Sequence, residues 1–536
     1  MIYKSLRLMK YSWLIIFLTS ISYSQYTLDP GFGSNGVTEV DFGPNFNDSP
    51  NDMILLPDGS IMAAGISINS FDYFIALTRL LPDGMVDSSG FGTNGKTLLH
   101  FVLRDQANDI ELQSDDKIVV AGTEAEGNGG SQITPALYRF NPDGSLDTSF
   151  ADSGKIAIRY DNVSSGEFYG VSVQQNGKIL AAGSSTGNAN GGVAGFGAMR
   201  FLPNGNIDTT YGINGKARIV ESILYHPVAC LFLSDTGIVM ATVSYINGIE
   251  QFVLGKMDSL GNRDTTFGDN GFVVTGIPAV YNFTGGESLA LTNENKIILA
   301  GSTPDSNGQN LFSVFRFSLE GSIDSTFGTN GRTDIKLSNY DIVYDMKIDQ
   351  NNKILLAGEA GNQGGLARLN PDGSPDTSFA PEGKLTINLN NNQGTHYLTN
   401  CLPMQNGDIL AGGYDFASNA GNFIIAKITR GATGIELNSN LQPENFELSQ
   451  NYPNPFNPST KIDFNLPSES YVKISVYNLL GEKVKELLNS RESAGKHSAN
   501  FYAGGLASGV YIYQVTAESI TGKNYFRKEL KMVLLK

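Results

Sequence analysis

"FNPDGSLDTSFADSGK" (residues 140–155) packs three aspartates, two glycines, a proline and two phenylalanines into sixteen positions. Taken alone it could be a cation loop, a phosphate loop or a turn. Relatives of its second half recur along the chain as "LDPGFGSNGV" (28–37), "VDSSGFGTNGK" (86–96) and "IDTTYGINGK" (207–216). They continue as "RDTTFGDNGF" (263–272), "IDSTFGTNGR" (323–332) and "PDTSFAPEGK" (375–384). One aromatic marks each copy: Phe32, Phe91, Phe150, Tyr211, Phe267, Phe327 and Phe379. A glycine follows four residues later every time, at Gly36, Gly95, Gly154, Gly215, Gly271, Gly331 and Gly383. The spacing is about 60 residues, a period that marks propellers, solenoids or arrays.

A second element recurs in phase with the first. It reads "LPDGSIMAAG", "QSDDKIVVAG", "QQNGKILAAG", "LSDTGIVMAT", "TNENKIILAG", "DQNNKILLAG" and "MQNGDILAGG". Its polar half predicts a hairpin turn and its apolar half a strand buried on both faces. Ahead of it, apolar residues sit two apart (Met53/Leu55, Ile110/Leu112, Val171/Val173), the period of a strand. A third strand ends near a basic residue in every copy: Arg79, Arg139, Arg200, Lys256, Arg316, Arg368 and Lys427. A fourth begins just after the glycine of the elbow motif, as in "KTLLHFV" (96–102).

Each unit is therefore three strands, the elbow and a fourth strand. The bookkeeping is offset by one. "VTEVDF" (37–42) precedes every three-strand set, and the last set, near residues 400–428, has no strand after it. If the first segment completes the last sheet, no edge is left exposed. The expectation is an all-β fold: a seven-bladed β-propeller with 3+1 strand closure, then a small C-terminal β-sandwich. In that fold the motif is the elbow between third and outermost strands. Its glycines admit positive φ, its aspartate fixes the turn, and its aromatic fills the seam between blades.

The paired motifs resemble the delta-60 repeat, a bacterial β-propeller repeat, over about residues 28–430. The fourth copy departs most, with Thr242 for glycine and Lys256 for arginine. The resemblance implies an architecture and no defined activity.

Both ends of the chain differ from the repeats. Lys4, Arg7 and Lys10 precede the apolar run Trp13–Ile21, which is too short to cross a bilayer. Residues 1–24 read as a signal peptide cleaved after Ser24, which removes the single tryptophan, Trp13. The propeller then spans 25–430, a polar linker 431–446, and a last domain 447–536. That domain carries 11 Lys/Arg against 8 Asp/Glu, whereas the whole chain is at −16. "NYPNPFNPSTKI" (451–462), "GLASGVYIYQV" (505–515) and "KMVLLK" (531–536) resemble the C-terminal sorting domain of the type IX secretion system. The resemblance implies Sec export to the periplasm and passage through the outer membrane. Release or attachment at the cell surface follows, with the type IX machinery as partner through 447–536 and no transmembrane segment in the mature chain.

The residues nominate no chemistry. "GFGSNG" (31–36) and "GFGTNG" (90–95) match a dinucleotide fingerprint, but strand and not helix is expected after them. "NPDGSLD" (141–147) and "NPDGSPD" (370–376) lack the distal bidentate glutamate of a calcium loop, so their aspartates read as turn formers. The strand-three arginines, each eight residues before the elbow aspartate, read as structural ion pairs. Cys230 and Cys401 occupy a core column on non-adjacent blades and are expected as two free buried thiols. His100, His226, His396 and His497 show no metal-ligand spacing. No catalytic, cofactor-binding or metal-binding residue is assigned, and no cofactor is expected. The acidic balance disfavours nucleic acid. Two functions remain: a secreted or cell-surface propeller that serves as a binding or structural scaffold for an unknown glycan or protein ligand, or an extracellular polysaccharide-active enzyme, a lyase or hydrolase using carboxylates at the channel mouth.

Overall fold

A computed structural model describes residues 26–44, 46–69, 72–126, 132–161, 165–186, 194–221, 223–224, 229–233, 237–280, 288–389, 396–415, 421–431, 446–451, 454–468, 470–492, 495–519 and 525–535. The expected signal peptide and most of the expected linker lie outside these residues. The chain divides into two compact units, residues 1–433 and 434–536, each described by itself.

The first unit is seven blades. The third shows the pattern: Ser165–Val173, Ile179–Thr186, Ala194–Phe201 and Lys216–Val220 pair antiparallel in chain order. The innermost strands are Asn47–Leu55, Arg104–Leu112, Ser165–Val173, Ala229–Leu233, Ser288–Leu291, Asp341–Ile348 and His396–Pro403. Each lies against the next, and the seventh lies against the first. The ring is closed as the strand count requires: Val37 pairs with Ala426 and Val40 with Phe423, so the chain's first segment is the outer strand of the last blade. That strand, Val37–Val40, stops two residues short of the expected Phe42. A further short strand, Tyr26–Leu28, adds to the same edge through Tyr26–Arg430 and Leu28–Ile428. The sequence reading missed it.

Hydrophobic burial explains why the same elbow is used seven times. The aromatics Phe32, Phe91, Phe150, Tyr211, Phe267, Phe327 and Phe379 are all buried, and each sits in a different cluster that joins two neighbouring blades. Removing one such ring would cost about 3–5 kcal/mol. Between the aromatic and the fourth strand the chain must reverse sharply. Asn94 (φ 54°) and Gly95 (φ 80°) are both left-handed, and a Cβ on Gly95 would come within 2.3 Å of Val86. Glycine is thus needed there for conformation and for room.

The strand-three cations close the elbow. Arg139 Nε lies 2.7 Å from Asp147 Oδ2, and its guanidinium stands 4.5 Å from the Phe150 ring centre. Its third arm donates to Pro203 O of the next blade at 2.6 Å. Arg79–Asp87, Arg200–Asp208, Lys256–Asp264, Arg316–Asp324 and Arg368–Asp376 repeat the pairing. Side-chain exposure of these aspartates is only 3–18%, so the pairs are more valuable than free surface ones.

The second unit is two facing sheets. One pairs Glu447–Leu448, Ser459–Leu466 and Gly495–Tyr502; the other pairs Lys483–Glu492, Ser470–Tyr477, Gly509–Ser519 and Tyr525–Leu534. Ile462, Phe464, Ile474, Val476, Phe501 and Tyr513 fill the space between them. This is the expected sandwich.

Candidate functional site

The seven innermost strands surround a central channel of about 1260 Å³. What reaches it is set by a feature the sequence reading did not anticipate. Among the described residues the innermost strand slips by one residue against its neighbour in five blades, between Pro50 and Asp52, Ala107 and Asp109, Phe168 and Gly170, Val343 and Asp345, and Leu398 and Asn400. Each bulge frees one residue from the ladder: Asn51, Asn108, Tyr169, Tyr344 and Thr399. All five line the channel. Three tie the ring tangentially: Asn51 donates to Ala107 O at 2.7 Å, Asn108 to Phe168 O at 2.7 Å and Thr399 to Pro50 O at 2.6 Å.

The residue after the bulge forms a second ring. Asp109 accepts the Val171 N–H of the next blade at 2.7 Å, and Asp345 accepts that of Cys401 at 2.9 Å. Asp52 stands at the same level, and Lys347 Nζ lies 3.7 Å from both Asp52 and Asp345. Asp48 and Glu167 also line the channel, and Glu111 lies within electrostatic reach of Asp52 and Lys347. Burial, reinforced by the nearby Asp52 charge, holds the Asp109 carboxyl well above the usual carboxylate range. The same two causes bring Glu111 to about 7. Asp345 raises the Lys347 ammonium further above its ordinary value. The lumen is a carboxyl-rich chamber around one lysine, in which several carboxyls are protonatable near neutrality. Among the described residues no group of three or more His, Cys, Asp or Glu side chains is arranged to hold a metal ion.

The upper rim between blades 6 and 7 breaks the repeat differently. Tyr344, Tyr397 and Tyr414 are in ring contact, with centroids 6.3 and 5.4 Å apart and planes inclined by 60–65°. Tyr344 and Tyr414 face the channel. Glu359, nearly buried, lies within electrostatic reach of Tyr397 and Tyr414 and helps to push both hydroxyls up.

Other sequence candidates fall where structure, not chemistry, uses them. Asp143 accepts the Ser145 N–H and hydroxyl, and Asp147 those of Ser149, so both are committed to their turns. Strands Val37–Val40 and Lys96–Leu99 follow the two glycine fingerprints. Both thiols are free. Cys401 is buried as expected, but Cys230 is only half-buried and lines the channel. The seven cations are not a ligand ring; all are engaged with aspartates. The candidate residues that sequence reading missed, Glu359 and the three tyrosines, leave one trace: Glu359 and Tyr414 stand five residues after Ile354 and Ile409, where other blades have Ile66, Thr123, Ser184, Val243 and Ser302.

Four segments of the chain, 113–150, 174–211, 294–327 and 350–379, match the Domain of unknown function (DUF5122) beta-propeller. Residues 450–526 match the Secretion system C-terminal sorting domain. No curated protein matches the chain. Among solved structures, PorZ, an essential bacterial surface component of the type-IX secretion system of Porphyromonas gingivalis, is 12% identical at a TM-score of 0.37, over 95% of this chain and 62% of that one. The chain therefore spans less than two thirds of PorZ. The polysaccharide lyase Uly1 is 9% identical at a TM-score of 0.42, over 71% of this chain and 90% of that one. The chain thus carries DUF5122 propeller repeats and a secretion sorting tail, which makes it a protein exported to the cell surface or beyond. Among the described residues no helix is long and apolar enough to cross a membrane.

Proposed function

We propose that this chain of DUF5122 repeats and sorting tail is a cell-surface or secreted binding protein that holds an extracellular ligand at the mouth of its propeller channel. The type IX machinery would act on the domain over 447–536, and the propeller over 25–430 would be the displayed part. One observation carries the reading. Seams and elbows are near-copies in every blade, whereas the lumen column after the bulge reads Asp52, Asp109, Gly170, Ala229, Ser288, Asp345 and Asn400. A ring selected for stability alone has no need to differ there. Change at the lumen and rim, beside seams and elbows that largely repeat, is what a ligand site on a repeat scaffold requires.

The alternative, a polysaccharide lyase or hydrolase, draws on the lumen carboxyls. Glu111 at about 7 is in the range where a carboxyl can deliver a proton at neutral pH. The test is the mature chain on a glycan and peptide array, beside a panel of polysaccharide-cleavage assays. Binding that is lost with Tyr344→Ala and kept with Glu111→Gln supports the binding reading. Turnover that disappears with Glu111→Gln replaces it with the enzyme.

A further inference from the structure

The rim between blades 6 and 7 holds a carboxylate with no counter-charge among the described residues. The Glu359 side chain makes no hydrogen bond or ion pair with any described residue, although its exposure is only 8%. Its neighbours on the ring are better supplied. Asp109 and Asp345 accept backbone N–H groups, and Asp341 accepts those of Leu337 and Ser338. Beside Glu359 stand Tyr397 and Tyr414, with Tyr344 against Tyr397. Tyr397 stands against both of the other rings with its plane inclined by 60–65° to each, so the three form no single flat platform, and Tyr344 and Tyr414 face the channel.

We propose that this rim binds a small organic ammonium cation, seated against the faces of Tyr344, Tyr397 and Tyr414 beside the Glu359 carboxylate. The inference rests on the reading of the channel mouth as the ligand site and adds the ligand class. An aromatic face attracts a cation through its quadrupole, most strongly where water is displaced. A carboxylate beside the faces adds a Coulomb term that a neutral guest cannot use. Burial and the nearby Asp341 charge lift Glu359 to about 7, as follows when no cation is at hand. A sugar ring would need a platform and hydrogen-bond partners but no charge. The carboxyl-rich lumen below also favours a cation over an anion. Glu359 and Tyr414 occupy the same column in adjacent blades, where the other five have small or aliphatic residues. The repeat is therefore altered in both blades that meet at this rim.

The experiment uses the mature full-length chain and choline as the probe, titrated by calorimetry. Its neutral isostere 3,3-dimethylbutan-1-ol and methyl glucoside serve as comparisons. Choline is expected to bind at least about tenfold more tightly than the isostere, a difference of about 1.4 kcal/mol. Glu359→Gln and Tyr414→Ile are each expected to weaken it by about tenfold or more, while Glu382→Gln, at an exposed elbow position outside the channel, leaves it unchanged. Equal binding of the isostere, retention of choline binding in both rim variants, or no choline binding at all overturns the proposal. Glucoside binding that Tyr414→Ile abolishes, with choline inert, overturns the cation class yet keeps the mouth as the ligand site. A ligand whose binding ignores all rim variants removes both.

Discussion

Lys427, at the end of the last blade's third strand, is paired with Asp29, near the start of the described chain, at 2.9 Å. The two residues are the seventh copy of a pair that the other six blades make within about eight residues of sequence. Asp29 thus does for blade 7 what Asp147 does for blade 2, across nearly the whole length of the propeller. Phe32 follows it into the seam between blades 7 and 1. Asp29→Asn should cost no more than about 1 kcal/mol, because Asp408 remains 3.3 Å from Lys427. Phe32→Ala should cost about 3–5 kcal/mol. Deleting residues 26–40 should leave an open edge that aggregates. Urea unfolding and size-exclusion chromatography would show all three; a deletion variant as monomeric and stable as the parent would refute closure.

The elbow cations should be much more important than ordinary surface charges. Arg139 has a side-chain exposure of 7%, and Asp147 keeps Lys117 at 2.8 Å when the arginine is lost. Arg139→Ala should therefore cost about 2–3 kcal/mol, below the loss expected for a fully orphaned buried charge. Arg218→Ala, whose partner Asp161 is 43% exposed, should change stability by less than about 1 kcal/mol. Equal effects in the two variants would show that burial does not set the value of these pairs.

Why the ring was legible from sequence and the site was not follows from what each part requires. A seam must be filled the same way seven times, so Phe91, Phe150 and Phe327 recur at fixed distance from a glycine and betray the period. Tyr26–Leu28 was overlooked because only Leu28 has counterparts; Leu146 and Ile207 make the equivalent bridge in other blades. Bulges were invisible because one freed residue, such as Asn51, leaves the alternation on either side intact. The proposed ligand site is where the repeat stops repeating, so Glu359 and the tyrosines look like noise until the third dimension brings two blades together. Cys230 shows the reverse error, since its column predicted a core position that the local geometry half-opens to the channel.

Two sets of carboxyls give stability opposite slopes with pH. The elbow aspartates are held down by hydrogen bonds and cations, Asp324 and Asp376 to about 2, below the ordinary 3.8. Their contribution is complete above about pH 4 and is lost as pH falls toward 2. Lumen and rim carboxyls are raised by burial: Asp48 to about 6, Glu111 and Glu359 to about 7. Their stabilising share is complete below about pH 4 and is lost as pH rises to 7. The melting temperature should therefore peak near pH 4–5 and fall on both sides. Glu111→Gln should flatten only the neutral limb. A maximum at or above pH 7 would show that the lumen carboxyls are not destabilised when ionised.

Residues 434–536 form their own compact unit with its own core, and the match to a sorting domain covers 450–526. Deleting 447–536 should leave the propeller's melting temperature within about 2 °C of the parent while trapping the protein in the periplasm. Fractionation of cells expressing each form would measure this. Surface display of the truncated chain would mean that export does not depend on the tail.

Tyr211 is the one elbow aromatic with a hydroxyl; the other six are phenylalanine. Its ring fills the seam between blades 3 and 4 and lies 4.9 Å from the Arg200 guanidinium, as its counterparts do. The hydroxyl itself is buried and meets no hydrogen-bond partner among the described residues. A buried hydroxyl without a partner costs the desolvation of that group, whereas the ring contributes the same apolar burial with or without it. Tyr211→Phe removes the cost and leaves the packing intact. It should raise stability by about 1 kcal/mol, which chemical denaturation of the parent and the variant would resolve. Tyr211→Ala should lower it by about 3–5 kcal/mol. A loss of stability in Tyr211→Phe would mean that the hydroxyl is bonded after all and that the fourth elbow differs from the other six by more than one atom.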